Sequence, residues 1–171
     1  ISLGIIAGFF QIIGYFFYFS KMRTGRIKPN TASWSIWAFG AVLESYSYIK
    51  LTGDWVKNLL PAACAISAVL IFVYCLNRGH FEKISPFDCV IIILDFMAIF
   101  IWWFFGSAQY ANFFLILTAV ISFIPILLHV WKNPQSENAT PWVFWSIAYF
   151  LLAFVVLLRW NGWEVLIYPI I

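Results

Sequence analysis

Apolar positions along the chain come in runs of about 20 residues, separated by short polar or charged segments. A run of that length lets an α-helix cross about 30 Å of hydrocarbon, whereas a membrane barrel shows alternating segments of about ten residues. The pattern therefore predicts transmembrane helices at residues 3–20, 33–51, 56–76, 87–106, 109–131 and 140–159. A seventh span opens near Trp163, and we expect it to be cut short at Ile171.

Composition agrees with this pattern. Apolar residues make up 64% of the 171 positions and charged residues 10%, against about 45–50% and 25% in soluble domains. So much apolar surface favours an all-α integral membrane protein whose surroundings are the lipid bilayer. The net charge of +3 is small, so we expect no nucleic-acid partner.

The basic residues predict the orientation of the chain. The loops after spans one, three and five hold seven of them: Lys21, Arg23, Arg26, Lys28, Arg78, Lys83 and Lys132. The other side has three, namely Lys50, Lys57 and Arg159. The positive-inside rule places the seven in the cytoplasm. We therefore expect the N-terminus outside a cell (inner) membrane, with loops 1–2, 3–4 and 5–6 cytoplasmic.

Residues 30–61 and 138–169 align without a gap at an offset of 108. Six of these 32 positions are identical, and three of the six are tryptophans. The identical pairs are Asn30 with Asn138, Trp34 with Trp142, Trp37 with Trp145, Leu43 with Leu151, Trp55 with Trp163, and Pro61 with Pro169. Three matched tryptophans in one register indicate an internal repeat.

The repeat predicts how the spans are arranged. Because span four is a single connector, both three-helix units enter the membrane in the same direction. We expect a 3+1+3 parallel repeat, with a first unit at 1–77, a linker helix at 78–108 and an incomplete second unit at 109–171. Repeats of this kind are typical of transporters whose substrate site lies near the midplane, between the halves.

The second half resembles the PQ-loop pattern. Pro125 is followed seven positions later by Lys132, then by a small polar turn at 136–140 and the aromatic Trp142. With the 3+1+3 layout, this segment resembles the SWEET and SemiSWEET sugar transporters; vitamin transporters of the PnuC type share the layout and are a second candidate. The resemblance implies alternating-access transport of a small polar solute, sugar or vitamin-like, with Pro125 and Pro141 as hinges.

The first half departs from that pattern. Phe17 stands at the position equivalent to Pro125, and Ser33 at that of Pro141. The substrate-binding Asn that the family carries in its third helix is missing from residues 59–76. These departures, with an aromatic content of 22%, leave an alternative open: a non-transporting subunit that packs in a larger membrane complex. A homo-oligomer is also possible.

Helical spacing predicts an aromatic face on each repeated span. On span two the face holds Trp34, Trp37, Ala41 and Glu44, and on span six it holds Trp142, Trp145, Tyr149 and Leu152. If the faces meet, Trp37, Trp145 and Tyr149 would stack on a solute. Gln11 and Asn112 are further candidates for binding, with helix packing as the alternative. For Trp34 and Trp142 the alternative is an interfacial belt.

Two carboxyl groups are predicted near mid-membrane. Glu44 lies about 15 Å along its helix from Trp34, and Asp95 is similarly deep in span four. A charge there costs at least about 2.5–3.5 kcal/mol, so proton transport or recognition of a cation is expected. The alternative for Glu44 is a hydrogen bond to Ser67 or Gln11. In the SWEET layout, span four with Asp95 lies outside the translocation path.

The usual signatures of catalysis are missing from the sequence. It has no paired carboxylates at catalytic spacing, no Cys or His cluster and no glycine-rich phosphate loop. We therefore expect no enzyme, no cofactor and no bound metal.

Overall fold

The helices begin and end where polar residues, glycine and proline punctuate the apolar runs. The computed structural model describes residues 1–26, 31–78, 86–132 and 139–170, apart from the side chains at 125, 126 and 129. Every regular element within these ranges is an α-helix. The helices are α1 (Ser2–Arg23), α2 (Thr31–Thr52), α3 (Leu59–Arg78), α4 (Pro86–Phe105), α5 (Ala108–Lys132), α6 (Ala139–Leu158) and α7 (Glu164–Ile170).

Glycine and proline set several of these boundaries. Gly53 follows the last residue of α2 at φ +61°, and Gly106 follows that of α4 at φ +63°. Residues with a side chain rarely adopt this left-handed conformation, so glycine allows the chain to reverse there. Pro86 opens α4, where its missing N–H breaks no helical hydrogen bond.

The described helices are suited to a bilayer. Four of them, α1, α3, α4 and α6, are long and apolar enough to cross a membrane. Helix α5 contains a shorter apolar segment, Ala108–Ile124. Trp103 and Trp131 lie at helix ends and are 87% and 88% exposed. Exposed tryptophans at helix ends are typical of the membrane–water interface. An all-helical membrane protein is the class that these features indicate.

Helices from the first part of the sequence pack against helices from the last part. Helix α1 packs against α3 and α6, and α2 packs against α3 and α5. Helix α4 packs mainly on α5, with a smaller contact to α2, while α7 packs on α6. The first three helices are therefore joined to the last three through α1 with α6 and through α2 with α5.

Two apolar clusters form the core. The larger one draws on α1, α2, α3, α5, α6 and α7, and includes Tyr48, Leu60, Ile116, Leu152, Val156, Val165 and Tyr168. The smaller one comes from the first three helices alone, and consists of Met22, Trp34, Ala38, Ala68, Ile71 and Cys75 with their partly buried neighbours. The larger cluster fixes the first half against the second.

Gly14 allows the close approach of α1 and α6. A Cβ added at Gly14 would lie 2.5 Å from Cδ1 of the Trp145 indole, a distance that real Cβ atoms do not tolerate. A small residue at this contact lets two helix backbones pack closely. The position of Trp145 therefore depends on the missing side chain of Gly14.

We expect Gly14→Ala to destabilise the fold by about 1–3 kcal/mol, because the rigid indole has to move. Thermal unfolding in detergent measures this effect. Gly8→Ala is the matched control, since its Cβ would meet the nearest atom, the Leu59 carbonyl oxygen, at an ordinary 3.5 Å. Equal melting temperatures for the two variants would contradict the close approach at Gly14.

Candidate functional site

A cavity of about 600 Å³ lies inside the helix bundle, and all seven helices contribute residues to its wall. Its size falls within the range of about 300–1,000 Å³ that is usual for small-molecule sites. The wall is mostly apolar, with a few polar groups set among aromatic rings. A cavity of this kind suits one small solute.

Aromatic side chains form one continuous row in this wall. The ring of Tyr15 lies 5.1 Å from that of Trp145, which lies 5.3 Å from Trp142. The Trp142 ring lies 5.7 Å from Phe123, and Phe123 lies 6.0 Å from Trp37. These rings offer apolar surface on which planar or ring-shaped solutes stack.

Ten of the 27 lining residues form pairs separated by 108 positions. Five such pairs line the cavity: Gln11 with Ala119, Tyr15 with Phe123, Trp37 with Trp145, Ala41 with Tyr149, and Pro61 with Pro169. The ring contacts follow the same rule. Tyr15 with Trp145 becomes Phe123 with Trp37 when the two halves are exchanged.

Most of the predicted site residues meet at the cavity. Its wall includes Gln11, Trp37, Glu44, Asp95, Trp145 and Tyr149. Three of the four residues on each predicted aromatic face line the cavity. The remaining residue of each face, Trp34 or Leu152, does not. Trp34 is 5% exposed and packs in the smaller core, so it does not form part of a lipid-facing belt, and Leu152 belongs to the larger core.

Asn112 and Pro141 lie outside the wall of the cavity. Asn112 is fully buried behind the cavity wall, where it contacts a lining residue, Glu44. Pro141 is buried in the first turn of α6. Pro125 falls within α5, but its side chain lies outside the described residues, as does the polar turn through residue 138.

Glu44 is held by an amide from the opposite half of the chain. The Asn112 side-chain nitrogen donates to Glu44 Oε1 at 2.7 Å and to the Ser47 hydroxyl at 3.0 Å. The predicted interhelical hydrogen bond therefore exists, but its donor is on α5, not at Ser67 or Gln11. Both N–H bonds of one buried amide are used, so the amide links α2 to α5 at a fixed register.

Asp95 lines the cavity even though it belongs to the connecting helix. Its side chain is 1% exposed, and neither carboxylate oxygen has a hydrogen-bond partner among the described residues. The neighbouring hydroxyl of Thr118 donates instead to the Phe114 carbonyl at 2.9 Å. Gly40 makes room for Asp95, since a Cβ there would lie 3.3 Å from Oδ2. Helix α4 thus contributes to the site, unlike span four of the SWEET layout.

Three tyrosines form a cluster, and two of them, Tyr149 and Tyr168, line the cavity. The Tyr149 and Tyr168 hydroxyls lie 3.1 Å apart, and the Tyr48 hydroxyl donates to the Val165 carbonyl at 3.0 Å. The Tyr48 and Tyr168 rings are 4.9 Å apart. Of these tyrosines the sequence singled out Tyr149 alone. Tyr15 and Phe123 were also missed, although their offset of 108 was a usable signal.

A polar cluster joins the turn after α2 to the turn after α6. Asp54 accepts from Arg159 Nε at 2.5 Å, and Lys57 donates to Asn161 Oδ1. Asn161 in turn donates to the Thr52 carbonyl at 3.1 Å. We call these five residues the polar clasp. It links the first and second halves just beyond the tyrosines.

The contacts of the polar clasp shift the pKa of Asp54. Burial acts to raise the pKa of Asp54, but the hydrogen bonds from Arg159 and from the Val56 N–H, with the charges of Arg159 and Lys57, outweigh it. The pKa of Asp54 therefore lies below its ordinary value. Burial lowers the pKa of Lys57, and the charge of Asp54 opposes that shift.

The fold and cavity define a class: an all-helical protein with membrane-length apolar helices around an aromatic, acid-containing cavity. The chain matches no protein-family model, no curated protein and no solved structure. The described residues also hold no group of three or more His, Cys, Asp or Glu side chains that could bind a metal ion. The chemistry of the cavity is what remains to indicate the function.

We expect Asn112→Ala to destabilise the protein by about 1–3 kcal/mol, because Glu44 and Ser47 then lose their buried donor. Thermal unfolding in detergent measures the loss. Asn77→Ala is the matched control, since that exposed amide donates to a carbonyl of its own helix, Val73. If both variants melt like the parent protein, the link between α2 and α5 contributes nothing to stability.

The clasp predicts a stability change in acid. A depressed pKa stabilises the folded state above the unfolded-state pKa of about 4, and this stabilisation disappears as the pH falls through the folded value. Melting temperatures of the parent protein and of Asp54→Asn should therefore differ at pH 7 and converge toward pH 3. Asp88→Asn, an acid outside the clasp, is the control. Parallel curves for parent and Asp54→Asn would contradict the assignment.

Proposed function

We propose that this chain is a small-solute membrane transporter in which the central cavity binds the solute and two three-helix halves alternate around it. The observation that carries the proposal is the cavity itself. It lies between the halves, has the volume of a ligand site, and combines stacking rings with buried polar groups. A bundle with a purely structural role would gain stability by filling this space.

A 3+1+3 arrangement is supported by the helix contacts. The contact of α1 with α6 corresponds to that of α5 with α2 when the halves are exchanged, and both contacts are present. The contact of α2 with α3 corresponds in the same way to that of α6 with α7, whereas the contact of α1 with α3 has no counterpart of similar extent between the described parts of α5 and α7. The five lining pairs at offset 108 follow the same exchange. Pseudo-symmetry with the site on its axis is typical of transporters built from repeats.

The polar clasp suits a closed end of such a transporter. It joins the halves through one ion pair, whose Arg159 side chain is partly exposed, and a few hydrogen bonds. A partly exposed ion pair is weak and can break and re-form. By the positive-inside rule this end faces outward, in a cell (inner) membrane. The state described here is then closed toward the outside. Pro125 and Pro141 remain the proposed hinges for the change of state.

The rings and acids of the cavity also support a class of solute and a coupling of its transport to protons. Trp37, Trp145 and Tyr149 provide stacking surfaces for a sugar or a vitamin-like ring. Glu44 and Asp95 are the proposed proton carriers, since ionisable groups buried in a membrane bundle are seldom idle. With α4 contributing Asp95, the connector takes part in the site.

Trp37→Ala and Trp145→Ala should each abolish most solute exchange, because each removes one ring on which the solute stacks. Counterflow of labelled D-glucose and of nicotinamide riboside in proteoliposomes measures the loss. Trp103→Ala is the matched control, since that ring is 87% exposed at the end of α4. Each variant must first elute as a single species, so that lost exchange does not reflect unfolding.

Exchange that survives in both cavity variants would overturn the proposed pocket. Absence of any exchange by the parent protein would favour the alternative, a subunit of a larger membrane complex. Gentle extraction distinguishes the two functions. A transporter should run alone or as a small homo-oligomer, whereas a subunit should co-elute with a large complex in fixed proportion.

A further inference from the structure

The polar groups of the cavity are unbalanced in charge. Its wall contains two acids, Glu44 and Asp95, and none of the described residues that line it is Lys, Arg or His. Lys57 of the clasp is buried, and its ammonium group donates a hydrogen bond to Asn161. The cavity therefore contains two acids that no described side chain of its wall neutralises.

The unpaired polar atoms are also mostly acceptors. Both oxygens of Asp95 and the side-chain oxygen of Gln11 are buried without a hydrogen-bond partner in the described chain, and both residues line the cavity. The Trp145 indole N–H is the unpaired donor of the wall. Buried polar atoms are normally satisfied, so these acceptors point to a ligand that brings donors or positive charge.

The aromatic rings favour the same kind of ligand. Trp37, Trp145, Tyr15 and Tyr149 line the same cavity as these acceptors. The face of an aromatic ring carries partial negative charge and attracts a cation within about 6 Å, most strongly where water is excluded. Rings together with carboxylates form the cage in which proteins bind ammonium groups. A neutral sugar would stack on the rings and donate hydroxyl groups to Asp95, but it would bring no positive charge to the two acids.

The two acids are placed to act on one solute. Gly40 lies against the Asp95 carboxylate, and Glu44 follows Gly40 by four residues, about 6 Å along the same face of α2. Glu44 already accepts from Asn112, whereas Asp95 accepts no hydrogen bond from the part of the chain that the structure describes. Asp95 is thus the principal counter-charge, with Glu44 one helical turn away.

We propose that the cavity binds a monovalent organic cation, a quaternary or protonated ammonium group enclosed by aromatic rings, with the Asp95 carboxylate as its counter-charge. This inference rests on the proposed function and names the class of solute for that site. It assigns recognition to the connecting helix α4, which stands outside the repeat.

Equilibrium dialysis of labelled tetraethylammonium against the purified full chain in detergent tests the proposal. We expect saturable binding that tetramethylammonium displaces and D-glucose does not. Asp95→Asn should weaken binding about tenfold or more, since the buried counter-charge is lost. Asp88→Asn, the same change two turns earlier on α4, should leave it unchanged. If Asp95→Asn does not elute as a single species, Glu44→Gln provides the same comparison.

No saturable binding, displacement by D-glucose, or equal binding to the parent protein and Asp95→Asn would overturn the cation site. Proteoliposome exchange then separates the two proposals. Exchange of D-glucose without tetraethylammonium binding would overturn the cation class and leave transport standing. Binding of tetraethylammonium without exchange of any solute would support the cation site and overturn transport.

Discussion

A carboxyl group in the middle of an apolar helix has to find its hydrogen-bond donors inside the protein, because the hydrocarbon of a bilayer offers none. Glu44 finds its donor on α5, at Asn112, which also holds Ser47. This contact fixes the register of α2 against α5. Its counterpart, α1 against α6, is set by the close approach of Gly14 and Trp145. The cavity is the space that remains between these two contacts.

The two halves contribute unequally to that space. Exchange of the halves relates the aromatic walls, since Trp37 corresponds to Trp145 and Tyr15 to Phe123. It does not relate the acids. Leu152 occupies the position equivalent to Glu44, and Asp95 lies on the unrepeated helix. Aromatic rings from both halves thus line the cavity, whereas the acids among its described lining residues come from α2 and α4. A solute with one charged group would bind in a single orientation.

Apolar run lengths predicted the first six helices to within three residues at each end, because membrane thickness and polar punctuation both act locally along the chain. Helical spacing also selected Trp37, Trp145 and Tyr149, since residues three or four apart share a face. Contacts between helices that are distant in the sequence were harder to predict. The donor to Glu44 was sought at Ser67 and Gln11 and lies at Asn112. Spacing within one helix cannot reveal which distant helix packs against it.

The Glu44–Asn112 hydrogen bond also restricts how the proposed transporter can move. It crosses from one half to the other, and breaking it would leave a carboxyl group in an apolar bundle without its donor. Rocking that preserves it has to pivot near Glu44. Trp37 lies about 10 Å from that pivot along α2, so its contact with Phe123 would open further than the contact at Asn112. The clasp lies on the other side of the pivot and would move in the opposite sense. A single buried hydrogen bond would thereby couple movement at one end of the cavity to movement at the other.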